Sequence, residues 1–148
     1  DKDYAKAVEW LHKSSALRSA AMMARDHYTD RGKRYFYGLG VDKDYEMAAD
    51  WFCKSALLGV AVAQFMLGQH FFFGCDDVDK DYAKAVDWYR KAAEQNNACA
   101  QCALGDCYFY GFGKDIDWAE AAKLYSKAEE KGDAYAGLML RNFCGVNQ

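Results

Sequence analysis

The side chains best suited to chemistry in this sequence are three histidines (His12, His27, His70), six cysteines (Cys53, Cys75, Cys99, Cys102, Cys107, Cys144) and two glycine pairs, Gly38-Leu39-Gly40 and Gly111-Phe112-Gly113. No zinc-protease helix motif, nucleophile elbow or phosphate loop surrounds the histidines, so each reads as a surface or packing residue. The glycine pairs follow no strand and recur at a regular interval, which makes them turns and not nucleotide loops. Cys99 and Cys102 are three apart on one helix, but no second pair with ligand spacing accompanies them, as a closed zinc site requires. No catalytic residue, metal or cofactor is expected, and the chain reads as non-enzymatic.

A second set of residues is notable for its register. Trp10, Trp51 and Trp88 recur, with Glu9, Asp50 and Asp87 one residue before them and Lys13, Lys54 and Lys91 three residues after; Leu124 and Lys127 continue the rows. Each of these acids has its lysine four residues on, the favourable order for a helical ion pair, worth about 0.2–0.5 kcal/mol on a solvated face. Large aromatic anchors beside ordered charges also form the kind of surface that grips a helix or an extended peptide. The tryptophans have two readings: packing between successive units, or partly exposed anchors on the flank of a groove. The expected partner-binding residues are Trp10, Lys13, Asp50, Trp51, Lys54, Asp87, Trp88 and Lys91, which should form continuous rows across three units.

These residues keep register because the whole sequence repeats, a feature that outranks any local motif. Asp1-Lys2-Asp3-Tyr4-Ala5-Lys6-Ala7-Val8-Glu9-Trp10 reappears as Asp79-Lys80-Asp81-Tyr82-Ala83-Lys84-Ala85-Val86-Asp87-Trp88, with diverged copies starting at Asp42 and Asp115. A second segment recurs as Gly32 to Gly38, Gly68 to Gly74 and Gly105 to Gly111, ending each time on a glycine suited to stopping a helix. Tyr4, Tyr45, Tyr82 and Trp118 mark steps of 41, 37 and 36 residues, the length of a helix-turn-helix unit. The longer first step places about five extra residues within Arg18 to Asp30, where a surface loop between two helices is expected.

Counted from Tyr82 at 100° per residue, Ala85, Val86, Tyr89, Ala92, Ala93 and Asn96 share its face, the period of a core-facing helix. The alanines keep that stripe thin, and the aromatic at the seventh position fills the gap to its partner. In the second helices, Ala61, Ala63, Phe65, Leu67, Gly68, Phe71 and Phe72 are apolar on nearly all sides, as burial between two neighbours requires. A glycine inside a helix costs about 1 kcal/mol relative to alanine, so the recurrence of Gly32, Gly68 and Gly105 predicts a close approach of another element there. Arg141 stands in the fourth copy of this slot and is read as closing the array.

Ala100-Gln101-Cys102-Ala103-Leu104-Gly105, Tyr110-Gly111-Phe112-Gly113, and Asp81-Tyr82-Ala83-Lys84-Ala85-Val86-Asp87-Trp88-Tyr89-Arg90-Lys91-Ala92-Ala93-Glu94-Gln95 together resemble the Sel1-like repeat, a relative of the tetratricopeptide repeat. The resemblance covers essentially the whole chain, most clearly in the third unit. It implies an all-α, right-handed α/α superhelical solenoid with the first helices on the concave side, and the role of adaptor or scaffold; a peptide or protein partner is expected to bind that concave face. Four units are expected, approximately 1–41, 42–78, 79–114 and 115–148, in a single domain. A cysteine-rich branch of the family, some of it linked to penicillin recognition, staples each helix pair with a disulfide. Resemblance to that branch gives the alternative, a cell-wall-related small-molecule binder or hydrolase, and a plain structural spacer is a third reading. The late first-helix positions that carry cysteine in that branch hold Ser15, Ala56, Ala93 and Ala128 here, so six free, mostly buried thiols are expected.

Composition agrees with an all-helical interaction module. There is no proline in 148 residues, 52% are hydrophobic and 16% aromatic. The formal net charge is -3 with both signs interleaved, so neither nucleic acid nor an anionic membrane is an expected partner. The most apolar window, Leu57 to Phe73, is interrupted by Gln64, Gln69 and His70, and no membrane insertion is expected. A protein or peptide partner and a monomeric state are the expectations; no targeting signal sets the compartment. Tyr4, Ala7, Val8 and Leu11 look like interior positions, so a further unit is expected to precede Asp1 in the parent protein.

Overall fold

The computed structural model describes residues 2–74 and 79–146. Among the described residues it contains seven α-helices and no strand: α1 (Lys2–Tyr37), α2 (Tyr45–Leu57), α3 (Ala61–Phe73), α4 (Tyr82–Glu94), α5 (Ala98–Tyr110), α6 (Trp118–Glu129) and α7 (Ala134–Val146). Each helix packs on the next in chain order, so the helices stack into an α/α solenoid with a core between every successive pair.

The first unit departs from the expected helix pair. Where a loop was expected in Arg18 to Asp30, α1 runs unbroken for 36 residues. The turns in the other units show why. Gly59, Asn96 and Gly132, each fourteen residues beyond its Tyr or Trp marker, have φ of +84°, +62° and +89°, a region open to glycine and tolerated by asparagine. The residue at that register in the first unit is Arg18, followed after Ser19 by Ala20-Ala21-Met22-Met23-Ala24-Arg25, a run of strong helix formers. No residue there favours the left-handed step, and the helix continues. The same turn corrects the stripe counted along α4: Asn96 lies beyond the helix end and is exposed.

Aspartate begins each later first helix. Asp44, Asp81 and Asp117 accept from the backbone N–H of Met47, Lys84 and Glu120 through their carboxylates, each cap being worth about 1 kcal/mol. Their own N–H groups donate to Tyr35, Phe71 and Tyr108 carbonyls at 3.0, 2.8 and 2.9 Å. One residue therefore starts a helix and ties it to the preceding one.

The recurrent glycines are sockets. A Cβ on Gly68 would lie 2.6 Å from Cδ1 and Cε1 of Tyr89; on Gly32, 2.6 Å from the same two ring carbons of Phe52; and on Gly105, 2.9 Å from Cε1 of Tyr125. These three rings are the seventh-position aromatics of the following first helices, and all are buried. The thin alanine stripe beside them is equally dry, with Ala48, Ala85 and Ala121 at most 1% exposed.

Two buried glutamines lock the turns. Gln64 donates to the Ala56 carbonyl and accepts from Gln95, while Gln101 donates to the Ala93 carbonyl and accepts from Lys131 at 2.8 Å. Each closes its own helix pair and reaches the next unit. At the first junction this place is taken by Thr29 and Ser55: the Thr29 hydroxyl donates to the Arg25 carbonyl at 2.8 Å and accepts from the Ser55 hydroxyl at 2.6 Å.

Candidate functional site

Trp51 and Trp88 lie on α2 and α4, partly buried, each on the flank facing the preceding element. The Trp51 ring meets His27 and Tyr28 of α1 at 6.2 and 5.8 Å between centroids, with the Arg31 guanidinium 5.3 Å away. Trp88 packs against the core cluster containing Ala48, Phe52 and Leu67. Both tryptophans thus join successive units, the first of the two readings given above. Their outer faces are covered by lysine: Lys54 Nζ and Lys91 Nζ each stand 4.3 Å from the ring centroid of Trp51 and Trp88. A cation over an indole is stabilised by about 0.5–1 kcal/mol at exposed sites.

That placement alters the expected ladder of ion pairs. Glu9 and Lys13 do pair, at 2.9 Å on the exposed face of α1. Asp87 pairs instead with Arg90 at 3.6 Å, and no ion pair joins Asp50 to Lys54. The indole face is less strongly hydrated than a carboxylate, and the ammonium settles on the ring. Asp50 lies toward α3, where its charge acts on His70. Asp50 and Trp51 are consecutive and about 100° apart around α2, so Asp50 reaches the α3 side while Trp51 meets α1.

The expected row of three tryptophans is shortened to two. Trp10 is 72% exposed on α1. The part of α1 touching Trp51 begins at His27, about 25 Å further along a straight helix. Trp10 and Lys13 are carried away from Trp51 and Lys54 because α1 does not turn back. The described site consists of Asp50, Trp51, Lys54, Asp87, Trp88 and Lys91.

Titratable groups deeper in the stack have structural surroundings. Asp106 accepts from the hydroxyls of Tyr125 and Tyr135 at 2.5 and 2.9 Å, and burial, the larger effect, raises its pKa against these bonds. Burial pushes the thiols of Cys102 and Cys107 up to about 12, so they are protonated and poorly nucleophilic at neutral pH. Cys53, Cys99, Cys102 and Cys107 are free thiols, Cys99 exposed; Cys75 and the Cys144 side chain lie outside the described residues. His70 is lowered by burial, against the nearby charges of Asp50 and Glu46. Among the described residues no group of three or more His, Cys, Asp or Glu side chains is placed to hold a metal ion. No described helix is long and apolar enough to cross a membrane.

Sequence reasoning overlooked the aspartate caps and the glutamine locks. Their signal was present in the repeat: Asp44 and Asp81, like Gln64 and Gln101, are 37 residues apart. In the sequence, Gln64 reads only as an interruption of an apolar run and Gln101 only as part of the repeat motif.

The family model of the Sel1 repeat matches residues 1–19, 28–60, 61–97 and 100–133. Its later units begin on the glycine-bearing helix and end on the helix that supplies the aromatic ring, and the break at 20–27 falls within the continuous α1. Among solved structures, a Sel1 repeat protein from Oxalobacter formigenes is 39% identical, with TM-score 0.75, covering 80% of this chain and 49% of that one. A protective antigen of uropathogenic Escherichia coli strains displaying an SLR fold is 38% identical, with TM-score 0.74, covering 81% of this chain and 26% of that one. Cysteine rich protein B of Helicobacter pylori shares the fold at 22% identity and TM-score 0.63, covering 86% of this chain and 94% of that one. No curated protein matches the chain. With the repeat model covering most of its length and the glycine, aromatic and aspartate positions recurring in three dimensions, the chain belongs to the Sel1 repeat family.

Proposed function

We propose that this chain is a non-enzymatic interaction module that holds a peptide or protein segment on the concave face of the solenoid, along α2 and α4. Sel1 repeats mediate protein–protein interaction, which supplies the general class. The observation that carries the finer reading is the identical arrangement in two successive units: a lysine 4.3 Å above a tryptophan that is itself anchored in the stack. An anchored indole offers contact area without losing side-chain freedom on binding, and the lysine supplies charge for steering. Asp50 and Asp87, both exposed, add acceptors on the same two helices. The solenoid supplies the spacing between units, so a segment crossing both helices would meet the same chemistry twice. The unit acts as one domain and as a monomer in this reading.

Site-specific photo-cross-linking tests it. A benzophenone amino acid at position 54 or 91 should capture a partner that the same group at position 123, on the exposed face of α6, does not. Equal capture from all three positions, or capture only from position 123, would refute the assignment.

A further inference from the structure

The third unit contains a ring-filled slot whose counterpart in the second unit is a cleft among the described residues. Phe112, in the loop after α5, packs among Phe72, Tyr82 and Tyr110 with centroid separations of 5.3, 5.1 and 5.8 Å. One repeat earlier, the corresponding residues are Phe36, Tyr45 and Phe73, and Phe36 and Tyr45 keep the same mutual distance, 5.4 Å against 5.1 Å for Phe72 and Tyr82. These three line a cleft of about 220 Å³, with Ala48, Ala49 and Phe52 of α2 and Met66, Gln69 and His70 of α3 as its other walls.

The sequence accounts for the difference. The counterpart of Phe112 is Cys75, which lies outside the described residues and whose side chain is far smaller than a benzyl group wherever it is placed. The counterpart of the buried Val86 is Ala49, two methyl groups shorter. An apolar cavity of about 150 Å³ is large enough to bind benzene, so this cleft has room for one aromatic side chain. Its outer walls, Phe73 and Tyr45, are 62% and 41% exposed, so the cleft opens to solvent through aromatic side chains. The edge is acidic: Glu46 and Asp50 are exposed and close enough for their charges to act on His70 within the cleft, whose own proton affinity is lowered by burial.

We propose that the cleft between α1, α2 and α3 is a docking pocket for a phenylalanine-like side chain of a partner protein segment, flanked by lysine or arginine facing Glu46 and Asp50. The chain's own Phe112 shows the ring geometry that the walls accept, and the acidic edge selects the flanking charge. This pocket shares Asp50 with the lysine–tryptophan face but none of its tryptophan or lysine side chains. It is read with different variants, so failure of either assignment leaves the other standing.

The test uses the chain with isotope-labelled alanine and methionine methyls and a synthetic probe, the peptide Gly-Lys-Lys-Phe-Lys-Lys-Gly with blocked ends. Titration should shift the Ala48, Ala49 and Met66 methyls saturably. Replacing the probe's phenylalanine with alanine should weaken binding at least about tenfold, the effect of withholding a buried aromatic side chain, and replacing its lysines with glutamate should also weaken it. Ala49→Leu, which fills the cleft from within, should abolish the shifts at Ala48 and Met66. Phe73→Ala, removing a largely exposed wall, should weaken binding while the remaining spectrum keeps the folded pattern. Equal binding of the phenylalanine and alanine probes, undiminished binding to Ala49→Leu, or contacts showing that residues 75–78 already fill the cleft would each overturn the proposal.

Discussion

Gly68→Ala tests the physical basis of the repeat, because the same substitution has opposite expected signs at different places in one chain. Alanine is favoured over glycine inside a helix by about 1 kcal/mol. At position 68 the new methyl would lie 2.6 Å from two ring carbons of Tyr89, about 0.8 Å closer than the 3.4 Å where ordinary contact begins. Tyr89 is 1% exposed, with Phe65 and Phe72 at 5.9 and 6.3 Å from its ring, so the ring cannot withdraw without disturbing both cores. Overpacking costs about 1–3 kcal/mol, and this contact belongs at the upper end, leaving a net loss of about 2 kcal/mol after the helix gain. Gly145 in α7 has nothing within 4 Å of its would-be Cβ, so Gly145→Ala should be neutral or stabilising by up to about 1 kcal/mol. On a Tyr89→Ala background the collision is gone, and adding Gly68→Ala should then stabilise by about 0.5–1 kcal/mol, a coupling of about 2–3 kcal/mol. Urea unfolding followed by circular dichroism, with amide exchange in α3 and α4 as the local readout, measures each value. A Gly68→Ala chain as stable as the parent, or one equally destabilised with and without Tyr89, would refute the socket argument.

Gln101→Ala should destabilise by about 1–3 kcal/mol in urea unfolding, because it leaves the Ala93 carbonyl without its side-chain partner and frees Lys131. In native alkylation with iodoacetamide at mildly alkaline pH, Cys102 and Cys107 should react far more slowly than in urea, since burial holds both at about 12. Asp106 has a folded pKa raised above its unfolded value, so its contribution to stability is fully present below the unfolded value near 3.8 and is lost as pH rises through the raised one. Measured against Asp106→Asn, the parent chain should therefore gain relative stability as pH falls from neutral through that window; a constant difference would show that its surroundings do not perturb it.

Much of this architecture was legible because periodic patterns report a periodic stack. The Tyr82 stripe identified Ala85, Val86, Tyr89, Ala92 and Ala93, all of them buried, and the recurrence of Gly32, Gly68 and Gly105 announced close approaches that the structure places against Phe52, Tyr89 and Tyr125. The first unit was misread for a local reason. The register required a turn, whereas Arg18 and the Ala-Met-rich segment after it have the propensities of a helix interior. The site was only half legible. Helical spacing brings Asp50 and Lys54 to one face, yet spacing cannot rank two partners for one lysine, and Lys54 stands over the ring of Trp51. The cleft could not be read at all, since it lies in a slot defined only by the fold, where Ala49 stands opposite the larger Val86 of the next unit in the repeat alignment.

The central claim is that the lysine-capped tryptophans of α2 and α4 hold a partner. Its most direct measurement is the affinity of a captured partner for the chain and for the Lys54→Ala/Lys91→Ala double variant, at low and at physiological ionic strength. The double variant should bind more weakly, and its affinity should change less with salt because two steering charges are gone. Its unfolding midpoint should stay close to that of the parent, since exposed lysines contribute little to stability. Binding as tight as the parent's at both ionic strengths, with the fold intact, would contradict the account.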